Sequence, residues 1–410
     1  MEDSSNQKKK QAIEDGEEDR ISTLPDPILH EILSSMDLKY AIQTCALSKR
    51  WRYLWTSLPN LHFDVDLFPL PNDSKRRHQF THFVNQVLSR RDTNSNLCNF
   101  YFSPRACDHP SFIENSLSYA ISHNVQQLHV AAFSYPSAYQ LPLCLINSES
   151  LKSLTFEYGN QVALDKSLAL PGLKTLHITG FSDGSADFIT ETVGNCPNLE
   201  TLILDCLQLN DFNITAPKLR KLELWYDDEH WFSDYYQLDS DGLDPVPDGQ
   251  KIVVSAPRLT SFKLEGRVSP VFSATSLPCL DNVDIDIRVP FNAIIERSLS
   301  LNVINMLGQL REASSVTLSL ITLEVLAMHT DALKSHPSPF HKLKHLNLIA
   351  EELIQRVRSP TLTLPLNVIT YLTRGSSCSD TLVVKFLGPA LDRAQKDPGK
   401  FCEKPPVVLG

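Results

Sequence analysis

The chain has 410 residues, of which 42% are hydrophobic and 21% are charged, as in a globular protein with a substantial core. Its net charge of -10, from 38 basic and 48 acidic residues, argues against nucleic acid as a partner, because such proteins need a basic face. No stretch approaches the run of about 18 apolar residues that a membrane-spanning helix needs, so no membrane association is expected. The nine cysteines form no C-x-x-C pair, so we expect reduced thiols, no metal site and no cofactor.

The first 18 residues are polar and charged, with Lys8–Lys10 followed by acidic residues. Such a segment buries too little apolar surface to fold, so a disordered tail is predicted over 1–18. The tail has no apolar signal-peptide core, and we therefore expect an intracellular protein, in the nucleus, the cytoplasm or both. The three lysines fit a solvated charge run better than a nuclear signal.

Residues 19–64 predict a compact unit of three short helices. Asp26 is a suitable N-cap before Pro27, and Asp37 and Ser48 are suitable caps for the second and third helices. Apolar residues at helical spacing form the stripe of the first helix: Ile28, Leu29, Ile32, Leu33 and Met36. So small a unit usually needs a partner or a neighbouring domain to cover its apolar surface.

The next segment, 65–120, predicts junction helices and a first irregular repeat. An apolar stripe from Phe80 to Leu88 has basic residues at both ends, Lys75–Arg77 and Arg90–Arg91. This pattern favours an amphipathic helix packed at a domain junction. A nucleic-acid surface is the alternative, but the basic residues cover too narrow an area for one.

A repeat of the form apolar-x-x-apolar-x-apolar follows over 121–350. Its first positions lie 20 to 40 residues apart, mostly within the roughly 20–29 residues of leucine-rich repeats. The nine units begin at Val125, Leu151, Leu173, Leu199, Leu219, Leu259, Leu280, Ala313 and Leu343. Five units have a proline two residues before the first apolar position, where a strand can begin. We therefore predict an α/β fold, in which three helices precede an irregular leucine-rich-repeat solenoid of parallel strands with helical or irregular return segments.

One insertion in this array, residues 225–248, combines eight acidic residues with six aromatic ones and contains no Lys or Arg. Insertions in solenoids form loops on one face, which is often the binding face. The candidate substrate-binding residues are the aromatic ones: Trp225, Tyr226, Trp231, Phe232, Tyr235 and Tyr236. They suit an interface with a basic protein partner. A solvated loop with its rings folded onto the array is the alternative.

Two further segments have a sequence pattern that needs interpretation. Gly180–Gly184 fits the G-x-S-x-G motif of hydrolases, which would make Ser182 a nucleophile, but the strand before it is one of the repeats and no oxyanion segment exists. A loop turn is the favoured interpretation. Residues 351–410 are rich in Pro, Ser and charge, and we interpret them as a C-terminal cap or tail.

Two long matches carry a family resemblance. The run from Asp19 to Leu33, with its Leu24-Pro25 start, and the run from Leu47 to Trp55 resemble the F-box of the plant F-box family. The Ala-Pro-x-Leu-x-x-Leu-x-Leu cadence at Ala216 and Ala256 is similar to the repeats of plant F-box/LRR proteins. The resemblance implies a non-catalytic adaptor that binds a Skp-family protein and through it a cullin-based ubiquitin ligase. The repeat array would hold an unknown protein substrate.

The resemblance also implies which side chains contact the Skp-family adaptor. They are Leu24, Pro25, Ile28, Leu29, Ile32, Leu33, Leu47, Trp51 and Trp55. Some of them must instead form the three-helix core, and the sequence alone does not separate the two groups. A binding scaffold that recruits no ligase is the main alternative function, and a serine hydrolase using Ser182 is a remote one.

Overall fold

A computed structural model describes most of the chain. The described residues are 21, 23–68, 73–104, 110–132, 143–146, 148–158, 167–181, 186–206, 211–226, 251–266, 270–288, 297–351, 365–374 and 382–387. They form a helical unit at the N-terminus and a long parallel sheet covered on one side by helices.

The helical unit contains α1 (Asp26–Ser34), α2 (Leu38–Gln43) and α3 (Trp51–Leu54), with short 3-10 turns after α2 and α3. Pro25, with extended backbone, precedes α1 as its N-cap, so the expected capping role of Asp26 is wrong by one position. Asp26 lies in the first helical turn instead, where a carboxylate is favourable, and accepts a hydrogen bond from Arg50 Nε at 2.9 Å. This bond fixes the start of α1 to the segment before α3.

Twelve parallel strands form one continuous sheet in the order β1-β2-β3-β4-β5-β6-β8-β10-β12-β13-β14-β15. The strands are β1 (Asn60–Asp64), β2 (Asn99–Ser103), β3 (Gln127–Ala132), β4 (Ser153–Tyr158), β5 (Thr175–Phe181), β6 (Thr201–Cys206), β8 (Lys221–Tyr226), β10 (Ser261–Gly266), β12 (Asn282–Ile287), β13 (Ser315–Ser319), β14 (His345–Glu351) and β15 (Leu382–Leu387). Eight of the eleven neighbouring pairs in the sheet are consecutive strands along the chain, and the other three pairs skip one strand each, as in a solenoid.

The apolar repeat positions explain this sheet. Within each strand, alternate residues point to opposite sides, so the two apolar positions face the core. Leu202, Leu222 and Phe262 are register partners on three adjacent strands, and all are buried. The predicted α/β solenoid is confirmed.

A second parallel sheet lies behind the first, in the order β11-β9-β7. Its strands are β7 (Phe212–Thr215), β9 (Lys251–Ser255) and β11 (Val271–Ala274). The two sheets share one core, in which the rings of Phe262 and Phe272 have centroids 5.1 Å apart.

In the described ranges, seven further helices lie in the return segments. They are α4 (Asp73–Arg90), α5 (Pro110–Ser122), α6 (Ala186–Gly194), α7 (Arg297–Gln309), α8 (Leu320–Ala327), α9 (Thr330–Ser335) and α10 (Leu366–Thr373). The apolar run from Val316 to Met328 divides into β13 and α8, because Ser319 caps the helix and accepts a hydrogen bond from the Thr322 amide. Both parts are largely buried, and no described helix is long and apolar enough to span a membrane.

The helical unit is joined firmly to the array. Arg91, only 4% exposed, donates from Nη2 to the Leu58 carbonyl at 2.9 Å and from Nη1 to the Ser95 carbonyl at 2.7 Å. Phe63 of β1 packs edge-on against Phe100 of β2 at 5.7 Å between ring centroids. The first strand of the sheet therefore begins directly where the helical unit ends.

The sheet is longer than the nine repeats predicted. β1 and β2 precede the expected array, and β15 lies within the segment interpreted as a cap or tail. β2 lies in the segment 65–120, where a first irregular repeat is expected, and its inward residues Phe100 and Phe102 are buried. The sheet thus extends beyond residues 121–350 at both ends.

Candidate functional site

Exposed apolar side chains are concentrated in the helical unit. Of the eleven large hydrophobic side chains that are exposed in the described residues, seven lie between residues 21 and 53. They are Ile21, Ile28, Ile32, Met36, Tyr40, Leu47 and Tyr53, and we call them the apolar surface. A concentration of this kind marks an interaction site, since scattered single residues would need no explanation.

The two sides of α1 differ sharply. Leu29 and Leu33 are 0% and 1% exposed, whereas their neighbours Ile28 and Ile32 are 44% and 38% exposed. A helical period of 3.6 residues places each of these pairs on its own side. Leu29 and Leu33 therefore form the core, and only Ile28 and Ile32 remain available to an adaptor.

The segment around α3 divides in the same way. Trp51 and Trp55 are buried, so the expectation that they contact an adaptor is corrected: both side chains belong to the hydrophobic core. Leu47 is 69% exposed. Tyr53, which was not among the side chains expected to contact the adaptor, is 67% exposed. A large aromatic ring removes more apolar area from water when it is buried in the core than when it lies on the surface, which favours the burial of both Trp side chains.

The Leu24-Pro25 start lies at the edge of this surface. Pro25 is exposed, and Leu24 is partly buried against the core. Arg50 donates to the Leu24 carbonyl and to Asp26, each at 2.5 Å, and so holds this start against the segment before α3. The geometry leaves Pro25 and part of Leu24 beside the apolar surface.

Sequence reasoning missed four members of the surface: Ile21, Met36, Tyr40 and Tyr53. Met36 stood in the predicted stripe of α1 but was assigned no role. Tyr40 and Tyr53 lie next to buried Ala41 and Leu54, and their exposure follows from the helical period only once the inward side is known.

A second candidate surface is the side of the twelve-stranded sheet that points away from the core, which we call the open face. Toward its N-terminal end the central outward position carries rings on three successive strands: His62, Tyr101 and His129. His62 stacks on Tyr101 with centroids 4.2 Å apart, and Tyr101 is 4.5 Å from His129. His129 Nε2 lies 3.1 Å from Glu157 of β4. Burial lowers the pKa of His177 on β5, which keeps its imidazole neutral near pH 7, although nearby Glu157 opposes the shift.

Carboxylates replace rings farther along the open face. Glu223, Lys263 and Asp284 are register partners on β8, β10 and β12. Burial raises the pKa of Asp284, with Glu265 and Asp286 acting in the same direction and Lys263 opposing them. Asp284 makes no hydrogen bond or ion pair with the described part of the chain.

The neighbouring carboxylates are paired. Glu265 contacts Lys263 at 2.7 Å and Arg288 at 2.5 Å, and Asp286 accepts from Arg288 Nε at 3.1 Å. The Lys263 ammonium also lies 3.9 Å from the centre of the Trp225 ring. Lys263 is thus held between a carboxylate and an aromatic face, which is a favourable site for a cation.

The predicted aromatic insertion is only partly described. Trp225 lies on the open face of β8, whereas Tyr226 is 4% exposed and packs in the core, so its expected role in substrate contact is corrected. Alternation along β8 turns these two rings to opposite sides of the sheet. Trp231, Phe232, Tyr235 and Tyr236 lie outside the described residues, and their role stays a prediction. Ser182 lies outside them as well, just after β5, which belongs to the array.

Within the described ranges, no group of three or more His, Cys, Asp or Glu side chains could hold a metal ion. The groups that the open face presents are rings, carboxylates and ion pairs.

Two known protein families match separate parts of the chain, the helical unit and the repeat array. A model of the F-box domain matches residues 21–63, and a model described as the LRR repeats of FBD-associated F-box protein At5g56370 matches residues 113–268. F-box/LRR-repeat protein At4g14103 of Arabidopsis thaliana is 27% identical over 347 residues, covering 81% of this chain and 85% of the relative.

Two more relatives from the same plant have similar identity to this chain. F-box/LRR-repeat protein At5g02910 is 29% identical over 350 residues, covering 84% of this chain and 69% of the relative. F-box/FBD/LRR-repeat protein At5g22660 is 30% identical over 341 residues, covering 80% of this chain and 70% of the relative. The names of these relatives combine an F-box with leucine-rich repeats, as the matched models do along this chain, and the chain therefore belongs to the plant F-box/LRR-repeat protein family.

Proposed function

We propose that this chain is the substrate-recognition subunit of a Skp-cullin-F-box type ubiquitin ligase, in which the F-box binds the Skp-family adaptor and the repeat array binds a protein substrate. The chain itself carries out no bond chemistry in this proposal. The observation that carries it is the apolar surface of the F-box, which the fold leaves facing solvent.

The apolar surface is built on a rigid support. Leu29 and Leu33 anchor α1 from below, while Ile28 and Ile32 project from the same helix into solvent. Burying an exposed apolar side chain of this size against a partner is worth about 1.5–3 kcal/mol. Together with Leu47 and Tyr53, these side chains supply enough apolar area for a stable contact with an adaptor.

The support also holds the array in a defined position. The buried guanidinium of Arg91 ties the end of the F-box to the first strands, as described above. A substrate bound on the open face would therefore keep a fixed orientation toward the adaptor. Fixed geometry is useful where a partner must deliver a reactive group to a bound protein.

The decisive experiment is a titration of the full chain with the purified Skp-family adaptor. The double variant Ile28→Ala/Ile32→Ala should weaken binding by about 2–4 kcal/mol, the scale of interface hot spots. Leu24→Ala/Pro25→Ala should weaken it too, since these residues border the same surface. The matched control is Met328→Ala, which removes a side chain that is 63% exposed but far along the chain from the F-box.

Unchanged adaptor affinity in the Ile28/Ile32 variant would overturn the assignment of the surface. Equal weakening by Met328→Ala would show that any loss of exposed apolar area has this effect. Co-purification of a cullin with the wild-type chain then separates a ligase subunit from a scaffold that binds the adaptor alone.

A further inference from the structure

The side chains of the open face change from aromatic to mainly charged along the sheet, and this change indicates the charge of the molecule that the face binds. Among its outward residues over β6–β12, five are acidic: Asp205, Glu223, Glu265, Asp284 and Asp286. Lys221 and Lys263 are the two basic outward residues on these strands, and Arg288 follows β12. The face is therefore net negative while remaining in contact with solvent, as the partial exposure of its ion-paired side chains shows.

We infer that the open face receives a basic, extended protein segment, whose Lys or Arg side chains bind at Asp284 and at Glu223, on either side of Lys263. The inference rests on the proposed function, because it names the class of substrate that the array would take. It concerns the sheet only and does not involve the apolar surface of the F-box.

The first support is the unequal pairing of the carboxylates. Glu265 and Asp286 already contact Lys263 and Arg288, and Glu223 contacts Lys221 at 2.7 Å, so the charges of these three carboxylates are partly neutralised. Asp284 has no such partner in the described part of the chain, although it is partly buried. A buried carboxylate without a partner costs free energy, and a cation from outside would recover that cost.

The second support is the environment of Lys263. Its ammonium lies against the Trp225 ring and Glu265, so this part of the face already holds one cation between an aromatic ring and a carboxylate. The indole Nε1 of Trp225 is shielded from water and has no acceptor within the described residues. A bound segment cannot reach this shielded donor, so the ring acts through its face, against which the Lys263 ammonium lies.

The third support is spacing. Glu223 and Asp284 are separated by one intervening strand, so their backbones lie about 10 Å apart. Alternate side chains of an extended segment are about 7 Å apart, and the flexible stems of Lys and Arg cover the difference. Anionic partners are disfavoured here, because phosphates or acidic peptides would meet like charges.

The test uses the full chain and two labelled peptides, one of six Lys-Ser repeats and one of six Glu-Ser repeats, with binding followed by fluorescence anisotropy. The wild-type chain should bind the Lys-Ser peptide and not the Glu-Ser peptide. The variant Glu223→Gln/Asp284→Asn should bind the Lys-Ser peptide at least tenfold more weakly.

The matched control is Glu191→Gln/Asp331→Asn, which removes two exposed carboxylates from α6 and α9, away from the open face. It changes the net charge by the same amount and should alter affinity less than twofold. Equal weakening in both variants would mean that net charge alone attracts the peptide and would overturn the inference, as would a wild-type chain that does not bind it.

Two further measurements guard against misfolding and against confusion with the proposed function. The reversed variant Glu223→Lys/Asp284→Lys should bind the Glu-Ser peptide, a gain that an unfolded chain would not show. All variants should keep wild-type affinity for the Skp-family adaptor. Loss of peptide binding with intact adaptor binding tests the open face alone, whereas a wild-type chain that binds the peptide but no adaptor would count against the proposed function only.

Discussion

The F-box and the open face of the array are both exposed, but they are exposed in opposite chemical ways. The F-box presents aliphatic and aromatic side chains such as Ile28, Leu47 and Tyr53, whereas the open face presents rings, carboxylates and ion pairs such as Lys263–Glu265. An apolar surface binds any partner of matching shape and gains free energy from area alone. A charged surface gains less from area but rejects partners of the wrong sign.

The difference fits a division of labour. In the proposed function, the F-box binds one constant adaptor and needs affinity with little discrimination. The array would have to choose its substrates among many proteins, and Glu223 and Asp284 would supply a charge criterion for that choice. Five variants, in three experiments, test how far these two surfaces depend on the structure behind them.

The largest effect is expected from a pair of neighbours on α1. Leu33→Ala should lower the free energy of unfolding by about 2–5 kcal/mol, since the side chain is 1% exposed and its loss leaves a cavity. Ile32→Ala should change it by less than about 1 kcal/mol, because the side chain already contacts water. Urea titration of the full chain measures both values.

The ranking of the two variants should reverse when their affinity for the adaptor is measured at low temperature, where both remain folded. Ile32→Ala should then weaken binding more than Leu33→Ala does. Similar stability losses in the two variants would contradict the assignment of α1 to an inward and an outward side.

A smaller effect is expected from Gly266, the last residue of β10. Its φ of +135° suits glycine, and a Cβ there would lie 2.5 Å from the carbonyl carbon and oxygen of Tyr226. Gly266→Ala should therefore destabilise the array by about 1–3 kcal/mol. Thermal unfolding of the full chain gives the shift.

Gly308 of α7 provides the control, because a Cβ at that position would meet nothing within 4 Å. Gly308→Ala should stabilise the chain by about 0.5–1 kcal/mol through the lower entropy of the unfolded chain. Equal shifts in the two variants would show that strand β10 does not need the close approach to Tyr226.

The smallest effect is expected at Asp284. Burial raises its pKa in the folded chain, so the folded state favours the protonated form, and the stability that Asp284 contributes at low pH is lost as the pH rises through that raised pKa. Asp284→Asn should therefore stabilise the chain at pH 7 by about 1 kcal/mol or less, and the gain should vanish well below pH 4. Urea titrations at the two pH values measure this difference.

A gain at pH 7 combined with weaker binding of the basic peptide would show that Asp284 is kept for recognition at the expense of stability. If Asp284→Asn instead lowered stability at pH 7, the carboxylate would have a structural partner and the inference about the open face would lose its first support.

Prediction from sequence succeeded where a local pattern repeats. Nine apolar repeats marked nine strands of the large sheet, and the periodicity of Ile28 to Met36 marked α1, because alternation and helical period are properties of neighbours along the chain. The pattern also occurs at β2, as Leu97, Phe100 and Phe102, in the segment where an irregular first repeat was expected. It is absent at β15, because Ser379 stands at the first apolar position. The second sheet was missed because its strands β7, β9 and β11 are four or five residues long and lie within return segments.

For the candidate sites too, the local sequence pattern predicts one part and tertiary packing decides the other. The sequence by itself determined the family, the order of the F-box and array, and the set of apolar residues from which the F-box surface is drawn. Only the tertiary structure decided that Leu29, Leu33, Trp51 and Trp55 form the core while Ile28, Ile32 and Leu47 face solvent. It also brought Glu223, Lys263 and Asp284, distant along the chain, into one row. Burial and register depend on which elements pack together, and a local pattern does not contain that information.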